Sequence, residues 1–340
     1  MASTSPTTSK NEQGFALVLV IVVVLLASFL ASQLILEVRT ELTISHNIKA
    51  RVSGHFLAEA GLSLGLFRLL DRPSEAPSLG PEEDWQDFFE GYPYEVILPK
   101  GKVIYTVTSE GGKIDLSKIG EAPNSQALLR LFLEYQLGED NTEAIDTVIA
   151  SLLDWQDNDD AYHEINGMRG AESEYYGALD DPYIARNGKI TDPADFFLIK
   201  GTRPMLGKFY PQEVFTVHST DGKINFTSLT PAMLDFLTGD DKERATLYYE
   251  AKRESKGHLT AAMASEILGD RYEKFQAYLT YAANNNPYYF IVGTGFAGAE
   301  EERRTEGEAP APSPPGTIDS MIIKKEGSGF TCLAWQERST

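Results

Sequence analysis

The sequence predicts an α+β fold. A long N-terminal helix, membrane-spanning and then amphipathic, packs on an antiparallel β-sheet, and a large all-α domain is inserted into that sheet. Three observations carry the prediction. Residues Gly14 to Leu36 form a charge-free apolar run, GFALVLVIVVVLLASFLASQLIL, that leads into amphipathic helical sequence. A pattern occurs twice, as YTVTSEGGKIDL at 105–116 and FTVHSTDGKINF at 215–226. Strand-like segments stand before the helical blocks and again after them.

The apolar run meets the requirement of roughly 20 residues for crossing a bilayer core. It has no small-residue cleavage site after it, so it does not read as an ordinary secretory signal. Here the small residue, Gly14, comes first, behind a polar leader (1–14), and Phe15 opens the run. No proline occurs from Thr8 to Arg72, and Leu42, Ile44, Ile48, Val52, Phe56, Ala60, Leu64 and Phe67 recur near the helical period. One helix is therefore expected from Phe15 to Leu70, on the order of 80 Å long. Its membrane part is 15–36. Beyond that, one face needs a globular cover. Gly54, Gly61 and Gly65 weaken a free helix but permit close packing on a sheet. Asp71-Arg72-Pro73 ends it, and a Pro-, Gly- and acid-rich loop runs from Pro73 to Asp84.

Tyr94–Leu98 and Lys102–Val107 read as strands joined at Pro99-Lys100-Gly101, completing a unit at 37–115. Each repeat copy then reads as a strand, a glycine turn, and an Asp or Asn suited to capping. Helical blocks follow each copy: Gln126–Leu137 and Asn141–Trp155 after the first, then Pro231–Leu237, Asp240–Glu254 and Leu259–Tyr272 after the second. These define the insertion, 116–282. Tyr288–Gly293, Thr317–Lys324 and Phe330–Trp335 return to strand within 283–340. The stretch Gly298–Gly316, too acidic and proline-rich to bury a core, is expected to be a mobile hairpin excursion.

The chain of 340 residues carries a formal net charge of −20, which argues against a nucleic-acid partner. Cys332 is the sole cysteine, so no intramolecular disulfide forms. Five scattered histidines and the turn Gly111-Gly112-Lys113, which is no phosphate-binding loop, give no catalytic signature, and no enzyme is expected. The acids from Asp154 to Asp181 are dense, with Arg169 the one arginine or lysine among them. Hard cations take six to eight oxygens. Asp157 and Asp159 can face one ion, Glu172 and Glu174 its other side, with Asn158 and Asn166 completing the shell. Ala161 in the fifth loop position excludes an EF-hand. Read from these residues alone, a solvated acidic loop remains an alternative.

The order of leader, Gly14, Phe15 and apolar helix resembles type IV pilins and type II secretion pseudopilins. The long soluble part, the run Asp154-Trp155, Asp157, Asp159, then Gly170-Ala171-Glu172, Tyr175-Tyr176 and Pro182-Tyr183, and the repeated GKIDL/GKINF resemble the general secretion pathway protein K family. The resemblance implies a pseudopilin fold and a minor pseudopilin that caps the tip of a type II secretion pseudopilus and helps initiate its assembly. It implies cleavage by prepilin peptidase after Gly14, methylation of the Phe15 amine, a single pass through the inner membrane and a periplasmic C-terminal domain. It also implies calcium bound through Asp157, Asp159, Glu172 and Glu174. The partners it implies are other minor pseudopilins in a tip complex, inner-membrane lipid, and an outer-membrane channel or secreted cargo. Pilin subunits usually carry Glu at the fifth mature position to meet a neighbour's amine; here it is Leu19, which fits a subunit with nothing above it. A type IV pilus minor pilin and a signal-anchored periplasmic enzyme are the alternatives.

Overall fold

The computed structural model describes residues 10–70, 88–219, 222–282, 286–297 and 316–339. Residues 1–9 of the leader, the loop from Pro73 to Asp84, and the excursion up to residue 315 lie outside the described residues. Helix α1 (Lys10–Leu70) is continuous, and at 1.5 Å per residue its 61 residues span about 90 Å. The helix expected from Phe15 therefore begins earlier, at Lys10. From Leu17 to the middle of α1 the large apolar side chains are exposed, among them Leu19, Phe29 and Leu36. Only past Gly54 does α1 bury a face, through Leu57, Ala58, Leu62 and Leu69.

That face lies on strands β1 (Tyr94–Leu98) and β2 (Gly101–Ser109) and on three C-terminal strands described below. After β2 the chain enters the insertion. It contains β3 (Ile114–Asp115), α2 (Pro123–Leu137), α3 (Thr142–Gln156), β4 (Glu164–Ile165), β5 (Met168–Arg169), α4 (Ser173–Gly177), α5 (Pro211–Val214) and β6 (Phe215–Thr216). It continues with β7 (Ile224–Asn225), α6 (Pro231–Thr238), α7 (Lys242–Glu254), α8 (Ala261–Leu268), α9 (Tyr272–Phe275) and β8 (Leu279–Thr280). Strands β9 (Tyr288–Ala297), β10 (Thr317–Glu326) and β11 (Gly329–Ser339) complete the chain.

The five long strands form one antiparallel sheet in the order β1-β2-β9-β10-β11. Ser109, where the sheet releases the chain, pairs with Tyr289, where it takes the chain back. The insertion thus hangs from two neighbouring strand ends and does not split the ladder. Helix and sheet approach at backbone distance. A Cβ on Gly61 would sit 2.5 Å from Val103 Cγ2, and one on Gly65 would sit 2.9 Å from Ile291 Cγ2. The sheet also supplies glycines: a Cβ on Gly293 would meet Ala58 O at 2.2 Å. The close packing expected of Gly54, Gly61 and Gly65 is present, and Gly293 and Gly295 complete it from the other side.

The insertion is mainly helical, but three two-stranded ladders interrupt the all-α expectation. Two of them explain the repeat. Ile114-Asp115 pairs in parallel with Phe215-Thr216, and Ile224-Asn225 pairs in parallel with Leu279-Thr280. Each Ile-Asp/Asn pair opens a helical module, and an apolar-Thr pair closes it. The capping role read for the Asp and Asn holds in both: Asp115 Oδ1 accepts from Ser117 N at 2.9 Å, and Asn225 Oδ1 accepts from Thr227 N at 3.0 Å. The strand expected at 215 is shortened to two residues, because the first copy extends a long sheet strand and the second has only Ile114-Asp115 to pair with.

A buried ion pair ties the first copy to both neighbours. Lys113 Nζ donates to Glu110 Oε1, Thr216 Oγ1 donates to Glu110 Oε2, and Lys113 Nζ lies 3.8 Å from the centre of the Phe290 ring on β9. Burial pushes the Lys113 amine down from its ordinary range while Glu110 opposes that shift. The aligned glycines of the two copies are required for different reasons. A Cβ on Gly112 would lie 1.8 Å from Ser228 O, whereas Gly222 has φ of +69°. Gly112→Ala is therefore expected to cost about 3 kcal/mol through backbone displacement, and Gly222→Ala nearer ~1 kcal/mol through local strain. Urea unfolding of the two variants checks the ranking.

Candidate functional site

Helix α3 delivers the first acids. Its periodic apolar face (Ile145, Val148, Ile149, Leu152) seats it in the insertion core, and Asp154 and Trp155 are carried in with it as buried residues. Asp157 is the C-cap, where the chain turns away. The short β4–β5 hairpin then returns through Gly170 and Ala171 to Glu172, the N-cap of α4. The return is close: a Cβ on Gly170 would lie 2.1 Å from Asp154 Oδ2.

The aromatic residues of the acidic-aromatic motif form the floor. Trp155 and Tyr176 meet edge to face at 5.1 Å between centroids, and Tyr176 stacks on Tyr183 at 5.2 Å. Burial pushes the Tyr176 hydroxyl well above its ordinary range. Above this floor the acids converge. Carboxylate oxygens of Asp157, Asp159 and Glu172 lie within 4.8 Å of one another, and so do ligand atoms of Asp154, Asp157 and His163.

Most of these carboxylate oxygens accept no hydrogen bond within the protein. Both oxygens of Asp157, both of Glu172 and Oδ2 of Asp154 are buried without a hydrogen bond. Asp154 Oδ1 accepts from His163 N at 2.6 Å and lies 2.8 Å from His163 Nδ1, which is itself 3.2 Å from Asp157 Oδ2. Asp159 Oδ1 accepts from Ala161 N at 2.8 Å. Glu172 has its carboxyl pushed up to about 7, first by burial and then by the charges of Asp154 and Asp157. Asp157 is raised by burial and then by Asp159, with His163 opposing. Buried, unpartnered, mutually repelling carboxylates are costly unless a cation joins them. The donor set is hard oxygen, which fits calcium.

Of the four residues expected to hold the ion, the structure brings three together. Glu174 stands apart, with Oε2 accepting from Tyr162 OH at 3.4 Å in the first turn of α4. Asn166 is also turned away, donating from Nδ2 to Asp146 Oδ2 at 2.9 Å, and Asn158 is exposed. Asp154, read in the sequence only as one of many acids, is the addition. Its signal was its place three residues before Asp157 on α3, one helical turn away. Arg169 does not neutralise the cluster; its guanidinium lies over the Tyr162 ring at 3.9 Å. In metal-free protein the raised Glu172 carboxyl has a definite sign. Glu172 keeps its proton in the folded state at a pH where the unfolded chain has lost it. The stability this gives is full below about pH 4.5 and is lost as pH rises through about 7. With chelator present, the unfolding midpoint of the wild type should fall over that window relative to Glu172→Gln.

The processing residues lie on α1. Phe15 is 72% exposed, and Leu19 is likewise exposed. Among the described residues, α1 is the one helix long and apolar enough to cross a membrane. Gly61-Leu62-Ser63-Leu64-Gly65 has the spelling of a nucleophile elbow, but it lies mid-helix with Ser63 exposed, not on a strand–turn–helix corner.

Residues 112–208, which contain the whole acidic-aromatic site, match the family model described as "Type II secretion system (T2SS), protein K". The likeness to protein K of type II secretion is carried by this segment, less than a third of the chain. No curated protein matches it in sequence. Among solved structures it is similar to a chain in the crystal structure of the GspK-GspI-GspJ complex from the enterotoxigenic Escherichia coli type 2 secretion system. The identity is 16% and the TM-score 0.47, over 89% of this chain and 100% of that one. The matched segment opens at Gly112, the glycine of the first repeat copy, and runs past α4.

Proposed function

We propose that this chain is a minor pseudopilin that caps the tip of a periplasmic pseudopilus and helps initiate its assembly for export across the outer membrane. The observation that carries the reading is α1: a helix of 61 residues whose N-terminal apolar part is exposed all round, while its C-terminal part is covered by the sheet. Such a helix needs lipid before assembly and neighbouring helices after it. Prepilin peptidase cuts after Gly14 and methylates the Phe15 amine, leaving the helix on the mature subunit. The head then lies in the periplasm, on a single inner-membrane pass.

Leu19 supports a terminal position, since it offers no carboxylate to an amine above it. The bulk of the insertion supports the same reading, because it would block a further subunit. Two other minor pseudopilins are the partners in this reading; the similar solved chain is in a complex with GspI and GspJ. The head would meet the outer-membrane channel or cargo. The role is structural and not catalytic. Calcium belongs to the reading as a stabilising ion, held by Asp157, Asp159 and Glu172 with Asp154 beside them.

Mass spectrometry of the mature N-terminus is the test. A chain beginning at N-methylated Phe15 is the expected result. Functional protein that keeps Met1 to Gln13 would overturn the reading, as would normal export in cells that lack the protein.

A further inference from the structure

The long helix leaves the sheet at a cluster of ionisable groups that the proposed role does not use. At Gly54 the backbone of α1 comes close to the sheet; a Cβ there would lie 2.6 Å from Thr317 Oγ1 and 3.3 Å from Gly295 O. His55 follows it. Its Nδ1 lies 2.9 Å from Asp319 Oδ2 on β10, and its Nε2 lies 3.8 Å from Glu337 Oε1 on β11. Asp319 is fully buried, and neither of its oxygens accepts a hydrogen bond from any other group. In the sheet Asp319 stands between Gly293 and Glu337, directly under the helix.

We propose that His55 is a protonation-dependent latch that holds the long helix on the head at the point where the helix emerges. The two ring nitrogens face two different carboxylates. A neutral imidazole has one N–H and one lone pair, so it can donate to only one of them and turns its lone pair to the other. The imidazolium turns an N–H to each, at hydrogen-bond distance to Asp319 and at ion-pair distance to Glu337, and it alone supplies the charge that a buried carboxylate needs. The other charged groups around the ring are Glu59, one turn along α1, and Arg51, one turn before it, whose backbone oxygen accepts from Thr317 Oγ1 at 3.4 Å. Beside this ring β9 faces the helix with Gly293 and Gly295, which carry no charge. Three carboxylates, Asp319, Glu337 and Glu59, thus stand around this point of α1, and Arg51 lies one turn before His55 in the same helix.

The direction follows. The latch holds while the imidazole is protonated and the carboxylates are ionised, and it is released as pH rises and the imidazole loses its proton. Burial raises the Asp319 carboxyl, with His55 opposing, which sets the acid limit of the same window. Release would loosen only the first turns of α1 on the sheet, because Leu62 and Leu69 remain buried further along.

The test uses the full chain in detergent micelles at about pH 6 and about pH 8.5. Hydrogen exchange of α1 amides 51–57 is compared between wild type, His55→Gln and His55→Arg at each pH, so that intrinsic exchange cancels. At the lower pH, wild type should be protected at least tenfold over His55→Gln, and at the higher pH the two should agree within about twofold. His55→Arg, a permanent cation, should keep its protection at both. The reading is overturned if the wild-type advantage is the same at both pH values, or if His55→Arg loses protection in parallel with wild type. As a check on folding, a double-mutant cycle on the unfolding midpoint with Asp319→Asn should show stronger coupling at the lower pH than at the higher, where at most the single Nδ1–H hydrogen bond is left. Coupling that persists unchanged at the higher pH would also overturn it.

Discussion

Gly295→Val is expected to lift α1 from the sheet. A Cβ at this position would stand 2.0 Å from Gly54 O and 2.6 Å from Ala58 N. Both are backbone atoms of a continuous helix, so no side-chain rotation relieves the overlap. Either the helix moves or β9 bends, and β9 is held on both sides by β2 and β10. Moving the helix uncovers Leu57, Ala58 and Leu62, which are buried on this stretch of α1. Overpacking in a well-filled core costs about 1–3 kcal/mol, and contact with two backbone atoms belongs at the upper end or beyond it. Gly177→Ala is the control, since a Cβ there meets nothing within 4 Å, and its effect should stay within about 0.5 kcal/mol. Denaturant unfolding and the exchange protection of α1 report the difference. Wild-type stability in Gly295→Val would mean that the helix does not rest on this strand.

Calcium is expected to raise the unfolding midpoint of the insertion by roughly 5–10 °C. An ion at about a hundred times its dissociation constant adds about 2.7 kcal/mol, and a unit of this size gains about 2–4 °C per kcal/mol. The physical cause is the set of buried carboxylate oxygens on Asp154, Asp157 and Glu172 that accept no hydrogen bond within the protein. Asp157→Asn and Glu172→Gln should each remove most of the calcium response. Glu172→Gln should in addition stabilise the chelated protein above about pH 7, because it removes a charge that burial and its neighbours oppose. Glu174→Gln should respond to calcium like wild type, since its side chain is turned to Tyr162. An equal midpoint in calcium and in chelator would end the assignment. A lost response in Glu174→Gln would place the ion elsewhere.

Glu174 shows where reading along the chain stops. Two residues from Glu172, it looked like a partner on the same face of a loop. α4 begins at Ser173, so the helical rotation between the two positions carries Glu174 to the other side. Asp154 shows the converse. It was present in the sequence one helical turn before Asp157, but its depth in the core came from Gly170, whose missing Cβ lets the returning strand pass over it. The repeat divides in the same way. Its two copies stand in the sequence, whereas their partners, Phe215-Thr216 and Leu279-Thr280, lie far along the chain and carry only a short apolar-Thr signature.

Local order follows from local pattern: a run of apolar residues without proline must be helix, and alternating aromatic and β-branched residues must be strand, wherever they finally pack. The long apolar helix, the sheet strands and the acidic-aromatic motif were therefore open to inspection in the residues themselves. Folding alone chose which carboxylates share one space, which glycines touch a foreign backbone, and which acid lies under His55. Those outcomes depend on contacts between residues remote in the chain, and separations of a few ångströms between such residues have no counterpart in sequence spacing.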